Sequence, residues 1–256
     1  MNFYIAGQTD VGIVKSTNQD SLLVKKITTD YGGMVFAILC DGMGGLAKGE
    51  LASATVIRAF DEWAQNELPI LGQNGHIDDM SLKNQWERII LEQNVKIKNY
   101  GMSIGVNIGT TAVILLVTQN RYYLMNVGDS RAYLLSDDIR VLTKDQTLVE
   151  REIELGNITR EQAEVDPRRS VLLQCVGASE NVIPDMFYGD VMPNTAFLLC
   201  SDGFRHEITP QEIYANLNPD IILDSNEANS RLRMLITLNM QRNERDNITA
   251  ALIKVQ

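Results

Sequence analysis

Seven consecutive residues, Met34 to Cys40, are apolar, and the run stops at Asp41, followed by Gly42, Met43, Gly44 and Gly45. An uninterrupted apolar run of this length predicts a strand buried on both faces, which requires cover on each side of its sheet. A carboxylate at its end, followed by glycines, lets an ion or a phosphate approach the backbone closely. A tight turn with a solvated Asp-Gly pair is the alternative reading of these residues alone.

Strands are predicted over 3–8, 21–27 and 34–40, the last two joined as a hairpin by Asp30-Tyr-Gly-Gly33. From Glu50 to about Leu68, Ala52, Val56, Phe60 and Trp63 recur at helical spacing. After a loop with Gly72, Asn74 and Gly75, a second helix is predicted from about Ser81 to Gly101. Trp63 and Trp86 read as core anchors of this helix pair. The runs 109–117, 121–127, 131–135 and 139–142 read as an antiparallel meander interrupted by Gly128-Asp129-Ser130. Within 143–180, Thr147 with Glu150 and Thr159 with Gln162 have capping-box spacing, and the segment reads as a mobile excursion beside the sheet. Strands near 186–189 and 195–200 follow, the second ending in Ser201-Asp202-Gly203. Helices are predicted from Thr209-Pro210 and over 226–240, and a last strand over 248–255 behind Arg245-Asp246-Asn247. No linker or repeat divides residues 1–256, so one domain is expected.

Asp20, Asp41, Asp202 and Asp246 thus flank predicted strand ends, and Asp129 lies between two strands. If the strands share a sandwich, these carboxylates can converge at one edge, where cations must offset their repulsion. With oxygen ligands alone, and only two histidines in the chain, Mg²⁺ or Mn²⁺ is the expected ion. No EF-hand loop argues for calcium. The three cysteines form no CxxC pair and read as buried thiols.

The formal net charge of -10 excludes a basic footprint, so neither nucleic acid nor an anionic membrane is expected as partner. No apolar run has the length of a membrane span and the N-terminus lacks a signal-peptide layout, so a cytoplasmic location is expected. No GxxxxGK[ST] is present, which excludes a P-loop reading.

The motifs GxVKxxNQD (Gly12 to Asp20), CDGMGG (Cys40 to Gly45), GTTA (Gly109 to Ala112), NVGDSRAY (Asn126 to Tyr133), CSDGF (Cys200 to Phe204) and RDNIT (Arg245 to Thr249) occur in order along the whole chain. In this order they resemble the PP2C-type (PPM) metal-dependent protein serine/threonine phosphatases in their compact bacterial form. The resemblance implies an α+β fold, a four-layer α-β-β-α sandwich with two central antiparallel sheets, and a flap over about 145–180. It implies two bridged Mn²⁺ or Mg²⁺ ions and a third, with metal ligands among Asp20, Asp41, Gly42, Asp129, Asp202 and Asp246. Asp41, Asp202 and Asp246 would be the catalytic set, with Asp41 bridging, Gly42 binding through its carbonyl and Asp20 acting through water. A metal-bridging water would then attack phosphorus, with no phosphoenzyme.

Lys15 stands where the family usually carries a phosphate-binding arginine and would offer a point charge in place of a fork. Arg168 or Arg169 are further candidates for that contact. Met43 and Leu46 stand where some members carry histidine, so the general acid is unassigned. His206 and His76 read as an exposed helix-entry residue and a loop residue. The implied partners are phosphorylated proteins and a Ser/Thr kinase of the same pathway, and a monomer is expected. The alternative is a catalytically weak or silent PP2C-fold binding module, but every implied metal carboxylate is present.

Overall fold

The computed structural model describes residues 2–44, 48–72 and 75–256, so Gly45, Leu46 and Asn74 lie outside it. The chain runs β1 (Phe3–Asp10), β2 (Asp20–Thr29), β3 (Gly32–Gly44), α1 (Gly49–Asn66), α2 (Leu68–Leu71), α3 (Asp79–Ile104), β4 (Ile108–Thr110), β5 (Ala112–Val117), β6 (Arg121–Val127), β7 (Arg131–Leu135) and β8 (Ile139–Val141). It continues through α4 (Leu148–Glu154), α5 (Arg160–Glu164), β9 (Asp185–Asp190), β10 (Thr195–Cys200), α6 (Asp202–Arg205), α7 (Pro210–Leu217), α8 (Ser225–Gln241) and β11 (Ile248–Val255). One sheet has the order β1-β11-β10-β7-β8, and the other β2-β3-β5-β6-β9 with β4 added beside β3. Every pairing is antiparallel.

Side-chain alternation in the strands builds three apolar layers. Val35, Ala37 and Leu39 of β3 pack inward with Phe197, Leu199 and Ile253 of the other sheet. Phe36, Ile38 and Cys40 point the opposite way, against Phe60, Trp63 and Trp86 of α1 and α3. The Trp63 and Trp86 rings meet edge-on with centroids 5.6 Å apart, as core anchors. On the far side Leu198, Cys200 and Leu252 pack against Phe204, Leu232 and Leu235 of α6 and α8. A strand buried on both faces needs no polar alternation, which is why the run Met34 to Cys40 is continuous. The architecture is the expected α-β-β-α sandwich.

Several details differ from the sequence reading. Strand β3 does not stop at Asp41; it continues to Gly44 because Gly42, Met43 and Gly44 pair with Thr110, Gly109 and Ile108. The predicted run 109–117 is accordingly split into β4 and β5. The meander is not one: β6 lies in one sheet and β7 in the other, so Gly128-Asp129-Ser130 is a crossing between layers. Helix α3 begins before Ser81 because the Asp78 carboxylate accepts the Ser81 N–H at 2.8 Å, and it ends at Gly105 with φ +69°. The 143–180 excursion carries α4 and α5, with Thr147 and Thr159 capping them as expected. Its root is tied down, with Gln146 N–H donating to the Gly128 carbonyl and Val176 N–H to the Thr110 carbonyl.

Candidate metal centre

Topology gathers the carboxylates. Asp10, Ile248, Cys200 and Arg131 mark one end of the first sheet, because Asp10 pairs with Ile248, and Cys200 with Arg131. Asp129, Asp202 and Asp246 each lie two residues beyond that end. In the second sheet Asp20 and Asp41 are direct cross-strand partners. Partners on adjacent antiparallel strands project from the same face, with Cβ atoms about 4.5–5.5 Å apart. The links β1 to β2 and β6 to β7 cross between the sheets here and bring the two groups together.

Asp41 stands at the centre. Burial raises its pKa well above the usual carboxylate range, and Asp20, Asp202, Asp129 and Asp246 each push it further. Its peptide unit is gripped on both sides. Asp41 N–H donates to Thr111 Oγ1 at 2.9 Å, and its carbonyl accepts from Thr110 Oγ1 and from Thr111 N–H, each at 2.9 Å. Thr111 Oγ1 in turn shares a 2.8 Å hydrogen bond with Ser130 Oγ. The GTTA and GDS motifs therefore serve the backbone that carries Asp41.

Asp20 is 8% exposed, and neither of its carboxylate oxygens has a hydrogen-bond partner. Burial lifts its pKa to about 7, with Asp202 and Asp246 adding to the rise. The Thr249 and Ser201 hydroxyls oppose this, but both are engaged elsewhere, with Thr9 Oγ1 and the Thr249 N–H. Asp129 is likewise moved to about 7 by burial and by Asp202, against the pull of Arg205. One oxygen of Asp202 is also buried without a partner.

The three carboxylates outside the strands each face a cation. Lys15 Nζ is 2.8 Å from Asp246 Oδ1, Arg205 Nη2 is 3.9 Å from Asp129 Oδ2, and His206 Nε2 is 3.5 Å from Asp202 Oδ2. Burial works against the Lys15 charge, but Asp246, Asp41 and Asp202 together raise its pKa. Among the described residues, neither Asp20 nor Asp41 has an ion-pair partner. Nor do any three acidic, histidine or cysteine side chains close on one point as a finished cage. The carboxylates are gathered and mutually repelling, with orphaned oxygens aimed into one cluster. That donor set fits hard divalent cations with oxygen ligands.

Backbone contacts fix the approach of these segments. A Cβ on Gly42 would lie 2.3 Å from the Gly49 carbonyl oxygen, and one on Gly203 would lie 2.2 Å from that of Asn247. Asn247 clamps the Lys15 loop, its Nδ2 donating to the Val11 and Thr17 carbonyls and its Oδ1 accepting from Gln19 N–H.

Some functional groups were missed by the sequence reading. Arg131 makes a two-pronged ion pair with Asp145, both bonds 2.8 Å, and Arg205 reaches Asp145 Oδ2 at 3.3 Å and the Asp129 carbonyl at 3.0 Å. Glu244 is a buried carboxylate beside Asp246. The GDSR motif does flag Arg131, but Asp145, Arg205 and Glu244 carry no distinctive spacing. His206, expected from sequence to be an exposed helix-entry residue, is instead held between Asp202 and Glu244. Its pKa is raised: burial opposes the charge, but Glu244 and Asp202 outweigh it. Within the flap Arg168 folds back on Asp166, and Arg169 donates to the Glu164 carbonyl. A cavity of about 500 Å³ separates the flap from the first sheet, lined by Asp129, Arg131, Arg169, Arg205 and His206 among others. Cys40, Cys175 and Cys200 are buried free thiols whose pKa values burial raises, that of Cys200 to about 12.

Residues 13–245 match the family model described as "Protein phosphatase 2C". The chain belongs to the protein phosphatase 2C family. The serine/threonine phosphatase stp of Listeria innocua is 29% identical over 251 residues, covering 96% of this chain and 94% of that protein. The protein phosphatase PhpP of Streptococcus pneumoniae is 30% identical over 252 residues, covering 96% and 95%. Among solved structures, the S. agalactiae serine/threonine phosphatase superposes with a TM-score of 0.83 at 27% identity over all of both chains. The catalytic domain of the phosphatase PstP, in complex with two manganese ions, superposes with a TM-score of 0.79 at 28% identity over 99% of both chains. With this membership the chain is a protein phosphatase 2C enzyme, of a metal-dependent family whose relatives are named serine/threonine phosphatases.

Proposed function

We propose that this protein phosphatase 2C uses two divalent ions, Mn²⁺ or Mg²⁺, and a third, to remove phosphate from phosphoserine and phosphothreonine in proteins. One observation carries the reading: Asp41 and Asp20 oppose each other directly in the strand ladder, Asp20 is buried with both oxygens unpartnered, and neither has an ion-pair partner among the described residues. Like charges so placed are destabilising unless a cation sits with them. Asp41, Asp202 and Asp246 would hold the first two ions with the Gly42 carbonyl, Asp20 would act through water, and Asp129 with Asp202 would hold the third. When bound, such ions supply an acidified water as nucleophile and countercharge for the phosphoryl oxygens.

The chain's own residues do the rest. Thr110 and Thr111 fix the Asp41 backbone, so the central carboxylate cannot retreat from the cluster. Lys15 sits on an exposed loop at the rim of the cluster, where its ammonium can meet a substrate phosphate as well as Asp246. The buried cysteines, with raised pKa values, are not nucleophiles. We further propose that the enzyme acts as a monomer within the cytoplasm, as one catalytic unit over residues 1–256, opposing a Ser/Thr protein kinase. No helix among the described residues is long and apolar enough to cross a membrane.

The deciding assay follows phosphate release from a phosphothreonine peptide and from p-nitrophenyl phosphate. Turnover is expected only with added Mn²⁺ or Mg²⁺ and is abolished by EDTA. Turnover that persists after metal removal would overturn the proposal.

A further inference from the structure

Asp202 and Asp246 arrive at the cluster from separate segments, the start of α6 and the lead-in to β11. Between them lies a chain of contacts that neither segment makes by itself. Glu244 closes the turn after α8, where Asn243 takes φ +68° and Glu244 N–H donates to the Asn239 carbonyl at 3.0 Å. Its Oε1 accepts the N–H groups of Arg245 at 2.7 Å and of Asp246 at 2.8 Å. Its Oε2 lies 3.3 Å from His206 Nδ1, and His206 Nε2 lies 3.5 Å from Asp202 Oδ2. The path from the Asp246 backbone to the Asp202 carboxylate therefore runs through two side chains. Asn239 backs it by donating its Nδ2 to the Phe204 carbonyl at 2.9 Å, which ties α8 to α6.

The burial is informative. Glu244 is 5% exposed and adds a further negative charge behind the acidic cluster. A carboxylate so placed is unfavourable unless its oxygens are satisfied. Here two backbone N–H groups take one oxygen and His206 faces the other, so Glu244 is spent on holding neighbours and is not free to bind an ion. His206 has both ring nitrogens directed at carboxylates. Groups that orient metal-binding side chains from behind in this way set metal affinity without touching the metal.

We propose that Glu244 and His206 form one brace that holds Asp202 and Asp246 at a fixed separation and so sets the affinity of the divalent-ion site. The inference rests on the assignment of Asp202 and Asp246 as metal carboxylates. Both members are positioning residues; neither touches substrate or ion. Because they act in series, breaking either link uncouples the Asp202 carboxylate from the Asp246 backbone.

The test is Mn²⁺ titration by calorimetry of the full chain and of His206→Ala, Glu244→Ala, Glu244→Gln and the double alanine variant. Each alanine variant is expected to bind Mn²⁺ about tenfold more weakly, the double variant no more weakly than the worse single one, and Glu244→Gln, which keeps an oxygen for the two amides, to lie in between. At saturating Mn²⁺ the KM for p-nitrophenyl phosphate is expected to stay at the parent value. A purely structural role would instead lower the melting temperature of the metal-free protein and leave the Mn²⁺ affinity alone. If Glu244→Ala does not fold, His206→Ala and Glu244→Gln carry the comparison, since neither removes a backbone bond. Parent-like Mn²⁺ affinity in folded His206→Ala, or losses that simply add in the double variant, would overturn the brace while leaving the phosphatase reading standing. Failure of the parent protein to bind Mn²⁺ would overturn that reading, and the brace with it.

Discussion

The two sheets contribute to the candidate centre in opposite ways. The second sheet offers Asp20 and Asp41 from within paired strands, held by a ladder and by Thr110 and Thr111, with no cation of their own among the described residues. The first sheet offers Asp129, Asp202 and Asp246 from beyond its strand ends, each facing Arg205, His206 or Lys15. Strand-borne carboxylates are fixed by backbone geometry, and on the proposed reading their repulsion is left to be answered by ions. Carboxylates beyond the strand ends have no ladder to hold them, and side-chain partners do that work. Rigidity and charge balance are thus supplied separately on the two sides.

The largest effect should come from breaking the strand-borne side. Asp41→Asn is expected to lower kcat for p-nitrophenyl phosphate by more than about 100-fold, beyond what loss of an outer partner costs. The same change removes a like charge opposite Asp20, so the metal-free variant should melt at or above the parent temperature, a gain of up to about 1 kcal/mol. A near-parent rate would remove Asp41 from the centre.

Next in size is the response of the metal-free protein to pH, which probes one carboxylate from each side. Asp20 and Asp129 release their protons near pH 7 in the folded chain, but near pH 3.9 in an unfolded one. Between those values the folded state holds protons that the unfolded state has lost. Stability therefore falls as pH rises through that window. Melting of EDTA-treated protein at pH 5 and pH 7.5 checks the direction, and added Mn²⁺ should raise the melting temperature more at the higher pH. A metal-free protein equally stable at both values would show that the two carboxylates are not buried together.

The smallest effect sharpens the contrast. Thr111→Val removes the hydroxyl that accepts the Asp41 N–H. It should cost about 1 kcal/mol of stability in chemical denaturation, since a buried donor loses its partner. An unchanged midpoint would mean that the ladder alone fixes Asp41.

Much of this was legible from residue order. The continuous apolar run Met34 to Cys40 announced a doubly covered strand, and the period-3.6 positions around Trp63 and Trp86 announced the helices that cover it. The aspartates were legible because each sits at a change of pattern. What was not legible depends on pairing across distance. That β3 runs on past Asp41 is decided by β4, about 70 residues away in the chain and invisible to local propensity. That 109–142 crosses layers, where a meander was expected, is decided by a three-residue link whose direction no periodicity encodes. Glu244, Asp145 and Arg205 look like surface charges in sequence, and only the pairing of Asp145 with Arg131 and Arg205, and of Glu244 with His206, gives them a role. His206 was misjudged for the same reason.

The connections between the layers have a mechanical corollary. The links β1 to β2, β6 to β7 and, through the flap, β8 to β9 all leave and enter at the carboxylate end, and only β9 to β10 joins the layers at the other. The sandwich is laced along one rim and held by a single stitch at the opposite one. Thermal breathing will part the layers first at the loosely stitched rim, so backbone amides around Asp190 and Thr195 exchange with solvent sooner than those flanking Asp41.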